Sequence, residues 1–346
     1  MAALAAVMGL GFLPPLQARG KGFVVLLEAI GAGIPRPFAA EVTRRTVDLD
    51  GVTGHLYSPG GPAPAIVLIP GVAPRGKDDP RAVRVATAIA RAGRVVLVPD
   101  LELTQQRFVE ADIDRLVLSV LALERSPAVR GGVSYFGVSY GGSFAMVAAA
   151  DPRLEGHLVQ VAVFGAYFDL VGVLQAVTTG RALVAGRAFT WEGPALARRV
   201  LGEAAAGLLP AGQRDDLAPA LADEDPRGLR PAARSLYELL MNRDPARTAE
   251  LVGELPDDLR SLLRRFSPST AASRIRAPVI AMHSMDDPAV PFAELIRLRR
   301  ALPEARVTVV RSFRHVDFTS PGDLGTLVGD LASAWRFATW LFAPQE

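Results

Sequence analysis

With 346 residues, half of them hydrophobic and 7% aromatic, the chain can bury one large core or a core plus a lid, and is too apolar for a disordered protein. Its formal net charge is only +2 and no basic run is interleaved with aromatic residues, which argues against a nucleic-acid partner. It contains no cysteine, so disulfides, thiolate metal sites and a cysteine nucleophile are excluded.

Met1 to Leu16 is almost wholly apolar and is interrupted by Pro14-Pro15; Arg19 and Lys21 follow, and Gly22 to Ile34 is largely apolar again. Neither run reaches the roughly 20 residues of a spanning helix. The charges follow the first apolar run instead of preceding it, the reverse of a secretory signal. Three readings stand: two short helices packed on the body or capping a pocket, a membrane-surface hairpin formed by residues 1–34, and a removed signal. Residues 1–40 are therefore treated as an apolar helical extension. The expected location is cytoplasmic, with membrane association as the alternative.

Glu41 to Leu49 alternates, Asp50-Gly51 is a turn signal, and His55-Leu-Tyr57 continues the pattern, which predicts an antiparallel hairpin at a sheet edge. Ala65 to Ile69 is a continuous apolar run, as a strand covered on both faces requires. A helix is predicted over Asp79–Ala92, a buried strand over Arg94–Val98 and a helix over Phe108–Leu123. A strand over Gly132–Phe136, a helix over Gly141–Ala150 and a strand over Leu158–Phe164 follow. From about Gly165 to Ser273 the strand signal vanishes and helix-like stretches such as Ala195–Leu209, Ala232–Met241 and Thr248–Phe266 predominate. The sheet resumes with Ala277–Met282, a helix over Phe292–Ala301 and a strand over Arg306–Val310, and a helix over Asp323–Phe342 follows. The alternation implies an α/β fold with a mostly parallel sheet, helices on both faces and an inserted helical cap. The expected division is 1–40 extension, 41–164 first part of the core, 165–273 cap, and 274–346 second part of the core.

Gly137-Val-Ser-Tyr-Gly141 lies between an apolar strand and an apolar helix, the setting in which G-x-S-x-G becomes a sharp strand-to-helix turn. The turn would strain Ser139 and expose its hydroxyl at the carboxyl edge of the sheet, where such folds place ligands. A serine hydroxyl needs a base, and the base a carboxylate that fixes its tautomer. Of the four histidines, His55 lies in the early hairpin, His157 reads as a solvated loop residue before a strand, and His283, ending a buried strand, as a satisfied structural histidine; His315 follows the last strand and opens on the edge where Ser139 emerges. His315 is the expected base. The acid is expected after the resumed strand, where Asp286 and Asp287 are adjacent; Asp287 is preferred, and Asp169 is the outside candidate. The chain order Ser, Asp, His is that of α/β-hydrolases.

An oxyanion hole needs two fixed N–H donors. The backbone of Tyr140 offers one, and the loop Pro70–Pro74 the other, with Val72 first choice and Ala73 next. Arg75, Lys77, Asp78, Asp79 and Arg81 read either as a solvated loop with a helix cap or as the lining of an anion-binding pocket.

Together, Pro70-Gly71-Val72, the Gly137–Gly141 pentapeptide with Gly142, the turn Asp286-Asp-Pro-Ala-Val-Pro291 and His315 resemble the α/β-hydrolase superfamily across residues 41–164 and 274–346. Pro70-Gly71 stands where the superfamily usually has His-Gly. The resemblance implies a serine hydrolase acting through an acyl-enzyme, with no cofactor or metal and a small-molecule ester or acyl substrate. The motif Gly-x-Ser-Tyr-Gly-Gly also resembles prolyl-oligopeptidase-type and dienelactone-hydrolase-like members, although the latter usually carry Cys as nucleophile. No propeller domain is present to support an oligopeptidase, and Ser at the turn argues against dehalogenase or epoxide-hydrolase chemistry. Carboxylic-ester hydrolysis is the expected reaction; amide or peptide hydrolysis, acyl transfer, and a non-catalytic membrane-associated protein on the same scaffold are the alternatives.

Overall fold

A computed structural model describes residues 14–29, 41–191, 193, 195–311, 313–315, 317–318 and 323–343. At its centre is an eight-stranded sheet in the order β1-β2-β4-β3-β5-β6-β9-β10. The strands are β1 (Thr43–Leu49), β2 (Val52–Ser58), β3 (Ala63–Ile69), β4 (Val95–Pro99), β5 (Val129–Val138), β6 (Leu158–Phe164), β9 (Val279–Ser284) and β10 (Arg306–Val310). β1 and β2 pair antiparallel, as does β2 with β4; every other neighbour is parallel. The expected edge hairpin is present, and Arg44 and Arg45 on exposed β1 discourage pairing with another chain.

Because successive strand residues point to opposite faces, each apolar strand feeds two cores. Val67, Ile69, Leu97, Tyr135 and Val163 join one core, while Ile66, Leu68, Val98, Phe136 and Phe164 join the other. The first core is closed by α3 (Glu110–Arg125), α4 (Tyr140–Ala149) and most of the segment between β6 and β9. The second is closed by α1 (Pro14–Ala29), α2 (Pro80–Arg91) and α12 (Leu324–Phe342). α2 starts where Asp79 accepts the Arg81 N–H and Pro80 occupies the first turn, where its missing N–H costs nothing.

Between β6 and β9 lie α5 (Leu170–Thr179), α6 (Ala195–Gly207), α7 (Ala211–Asp223), α8 (Pro231–Met241), α9 (Thr248–Glu254) and α10 (Asp257–Arg265). Two details differ from the sequence expectation. A hairpin, β7 (Arg181–Val184) with β8 (Arg187–Thr190), sits in the segment expected to lack strands; Ala185 and Gly186 both adopt positive φ, which joins strands in two residues. The helix expected over Thr248–Phe266 is two helices, because Pro256 drives Leu255 to an extended conformation (φ −62°, ψ 146°).

In α1 both charges fall within a single helix: Arg19 and Lys21 lie inside Pro14–Ala29. It packs on α12, where a side chain at Gly22 would strike the Thr339 backbone N at 2.7 Å and the Trp335 Nε1–H donates to the Arg19 carbonyl at 2.9 Å. Residues 1–13 and 30–40, the rest of the expected extension, lie outside the described residues. Among the described residues no helix is long and apolar enough to cross a membrane. α11 (Ala293–Ala301) joins β9 to β10.

Candidate active site

Ser139 stands between β5 and α4 with φ 54° and ψ −132°, a conformation that costs a non-glycine residue energy and persists only if its surroundings impose it. Those surroundings are crowded backbone. A Cβ on Gly137 would lie 2.4 Å from the Gly142 Cα, and one on Gly141 would lie 2.3 Å from the Ile69 carbonyl oxygen. The Ser139 N–H donates to the Phe164 carbonyl at 2.7 Å, tying the turn to the end of β6. Gly71, at the end of β3, approaches so closely that its Cβ would meet the Ser139 Cβ at 2.7 Å and Oγ at 3.2 Å.

The loops after β9 and β10 bring Asp287 and His315 together. His315 Nδ1 lies 2.8 Å from Asp287 Oδ2. His315 has φ 64° and sits between the short strands β11 (Phe313–Arg314) and β12 (Asp317–Phe318), so the segment read from sequence as a loop is a small hairpin. Asp287 is 2% exposed, and its Oδ1 accepts the N–H groups of Ala289 and Val290 at 2.8 and 2.9 Å. Asp286 is exposed and so carries no comparable constraint. Asp169, the outside candidate, is occupied elsewhere: it caps α5 through the Gly172 N–H and accepts from Ser269 Oγ.

Burial alone would raise the Asp287 carboxyl, but its electrostatic attraction to His315, the hydrogen bond between them, and the contributions of His283 and the Val290 N–H outweigh it. The carboxyl therefore titrates below its ordinary range. The buried His283 is pushed the other way, toward the neutral form, chiefly by desolvation. It donates from Nε2 to the Val290 carbonyl at 3.0 Å, and that nitrogen is 3.6 Å from Asp287 Oδ2.

The oxyanion candidates separate on their hydrogen bonds. The Ala73 N–H is spent on the Thr104 carbonyl at 3.0 Å. Among the described residues the Val72 N–H meets no acceptor. The Tyr140 N–H is the first of α4 and has no intrahelical acceptor. The charged residues after this loop form a cap and ion pairs: Asp79 caps α2, Lys77 meets Asp100 at 2.5 Å, and Asp78 meets Arg44 and His55. His157, expected in a solvated loop, pairs with Glu124 at 2.8 Å.

Two contributors, Gly165 and Trp191, were not legible in the sequence, while His283 is the satisfied structural histidine expected. Gly165, with φ 64°, ends β6 against the pair: a Cβ there would be 3.2 Å from His315 Nδ1 and 3.5 Å from Asp287 Oδ2. Trp191, just after β8, donates its Nε1–H to the Asp287 carbonyl oxygen at 2.8 Å. His283 steadies the same turn. For Gly165 the only available signal was a glycine directly after a buried strand; the Trp191 contact is tertiary. A cavity of about 880 Å³ lies between the inserted segment and residues 105–107, lined by Gln105, Val177, Leu201, Leu221, Met241 and Arg243 among others, and by none of Ser139, Asp287 or His315.

The strand order, the strained strand-to-helix turn and the loops that carry Asp287 and His315 define the α/β-hydrolase fold, and the chain has that fold. Among solved structures it is similar to puromycin hydrolase, at TM-score 0.50 and 16% identity over 89% of this chain and 40% of that one. It is also similar to a hyperthermophilic esterase from Pyrobaculum calidifontis, at TM-score 0.48 and 16% identity over 94% and 90% of the two chains. A dienelactone hydrolase from Anabaena variabilis matches at TM-score 0.42 and 18% identity over 85% and 96%. The chain thus spans about 40% of the length of puromycin hydrolase. No protein-family model matches the sequence. No curated protein matches it either.

Proposed function

We propose that the protein is a serine hydrolase that cleaves carboxylic esters through an acyl-enzyme. The observation that carries this reading is the 2.8 Å contact between His315 Nδ1 and buried Asp287, on the sheet edge that presents Ser139 in a strained turn. Asp287 holds the proton on Nδ1, leaving Nε2 as the base. Ser139 Oγ attacks the ester carbonyl carbon as His315 Nε2 takes its proton, and the carbonyl oxygen becomes an oxyanion facing the N–H groups of Tyr140 and Val72. The intermediate collapses as His315 protonates the departing alcohol. Water, deprotonated by the same nitrogen, then attacks the acyl-enzyme, and Ser139 leaves as the free hydroxyl. Residues 165–273 act as a cap in this reading; support comes from Trp191, a residue of that segment hydrogen-bonded to the acid's own backbone.

The test is covalent labelling by a fluorophosphonate together with hydrolysis of p-nitrophenyl esters and of matched amides. The expected result is labelling and ester turnover that both vanish in Ser139→Ala. Full activity in that variant sinks the proposal, and faster amide than ester turnover moves the reading to an amidase.

A further inference from the structure

The second core ends in a surface unlike the rest of the molecule. Along α12 the exposed positions recur at Leu324, Val328, Ala332 and Trp335, one stripe at helical spacing that carries no charge until Arg336. Leu324 is 74% exposed and Val328 59%. On α1 the exposed positions Leu16, Gly20 and Phe23 form a second stripe, with Phe23 at 51%. The stripes meet at Trp335, whose ring N–H is held by the Arg19 carbonyl while over a third of the residue stays in solvent. An indole with its polar edge satisfied and its apolar body outward suits the boundary between water and lipid.

The charges around this face are one-sided. Arg19 and Arg336 are exposed on it. Of the described acids on or beside the two helices, Glu28 is paired with Arg91 at 2.5 Å, Asp330 is buried against the Arg311 N–H, and Asp323, the cap of α12, is exposed. We propose that the exposed face shared by α1 and α12 docks on an anionic phospholipid surface, its apolar residues entering the interface and its arginines meeting the headgroups. Charge favours this occupant: on this face the exposed Arg19 and Arg336 outnumber the exposed Asp323, and an anionic lipid surface offers the arginines opposite charge.

The experiment is co-sedimentation of the full chain with phosphatidylcholine vesicles, with and without phosphatidylglycerol. Wild type is expected to sediment with the anionic vesicles, and the double variant L324E/V328E to bind about tenfold more weakly with an unchanged melting temperature. Should that variant fold poorly, R19Q/R336Q provides the second reading: it is expected to lose the preference for phosphatidylglycerol. The proposal is overturned if wild type stays in the supernatant, if folded L324E/V328E binds as wild type does, or if R19Q/R336Q keeps the full anionic preference. It is equally overturned if the face proves to hold a dimer that L324E/V328E dissolves while vesicles capture nothing.

Discussion

The serine turn and the acid turn lie at one edge of one sheet, yet they are held by opposite means. Around Ser139 the conformation is imposed by atoms that are missing: glycines at 137, 141 and 71 let backbones approach to distances that no side chain would allow. Around Asp287 it is imposed by groups that are present, with two N–H donors on the carboxylate, Trp191 on the backbone carbonyl and His283 on the Val290 carbonyl. One turn should therefore fail when a methyl is added, and the other when a donor is removed.

The sharpest break comes from Gly141→Ala, whose new Cβ would press on the carbonyl oxygens of Ile69 and Pro70, both backbone and unable to swing aside. Esterase activity should become undetectable and stability should fall by about 3 kcal/mol, measured by urea unfolding. Gly253→Ala is the matched control, since nothing lies within 4 Å of it and no loss is expected.

Removing the charge at the acid turn comes next. Asp287→Asn preserves shape but no longer enforces the His315 tautomer, and kcat should fall by roughly four orders of magnitude in steady-state assays. Trp191→Phe keeps an aromatic ring and deletes one hydrogen bond, worth about 1 kcal/mol or roughly fivefold in kcat. That loss should come with little change in KM; a change confined to KM would make Trp191 part of the substrate wall instead.

The smallest effect is a pH slope. Glu294 on α11 is buried, accepts the Phe168 and Asp169 N–H groups and pairs with Arg297, and burial dominates, lifting its carboxyl from 4.5 to about 7. The folded protein therefore holds this proton more tightly than the unfolded chain. The associated stability is present below the ordinary carboxylate range and is lost as the pH rises toward and through about 7. Melting temperature should drop by a few degrees across that window, and Glu294→Gln should flatten the decline even if it lowers stability overall.

Much of this architecture was legible because burial on both faces writes itself as continuous apolar runs, as in Ala65–Ile69 and Leu158–Phe164. The proximity of His315 to Asp287 follows from the same logic, since both stand in loops after adjacent parallel strands. What stayed hidden depends on contacts between distant segments. Nothing local to Trp191 says that its indole reaches a residue 96 positions away, and the Ala185-Gly186 turn is a weak signal because Ala rarely takes positive φ. The break near Pro256 is signalled by the proline itself but masked by the helix-forming residues that flank it on both sides.

The seam between α1 and α12 has a kinetic side. Trp335 meets Arg19 across 316 positions of sequence, so the contact that closes the second core is among the most distant the chain makes. During synthesis Ala18, Val25 and Leu26 emerge early, and α12, their partner, emerges only after everything between them. Contacts of such separation are slow to form, since a long loop must close before they contribute. Refolding followed by the fluorescence of Trp335 should thus report the last step of assembly, with one side of the sheet organised well before the other.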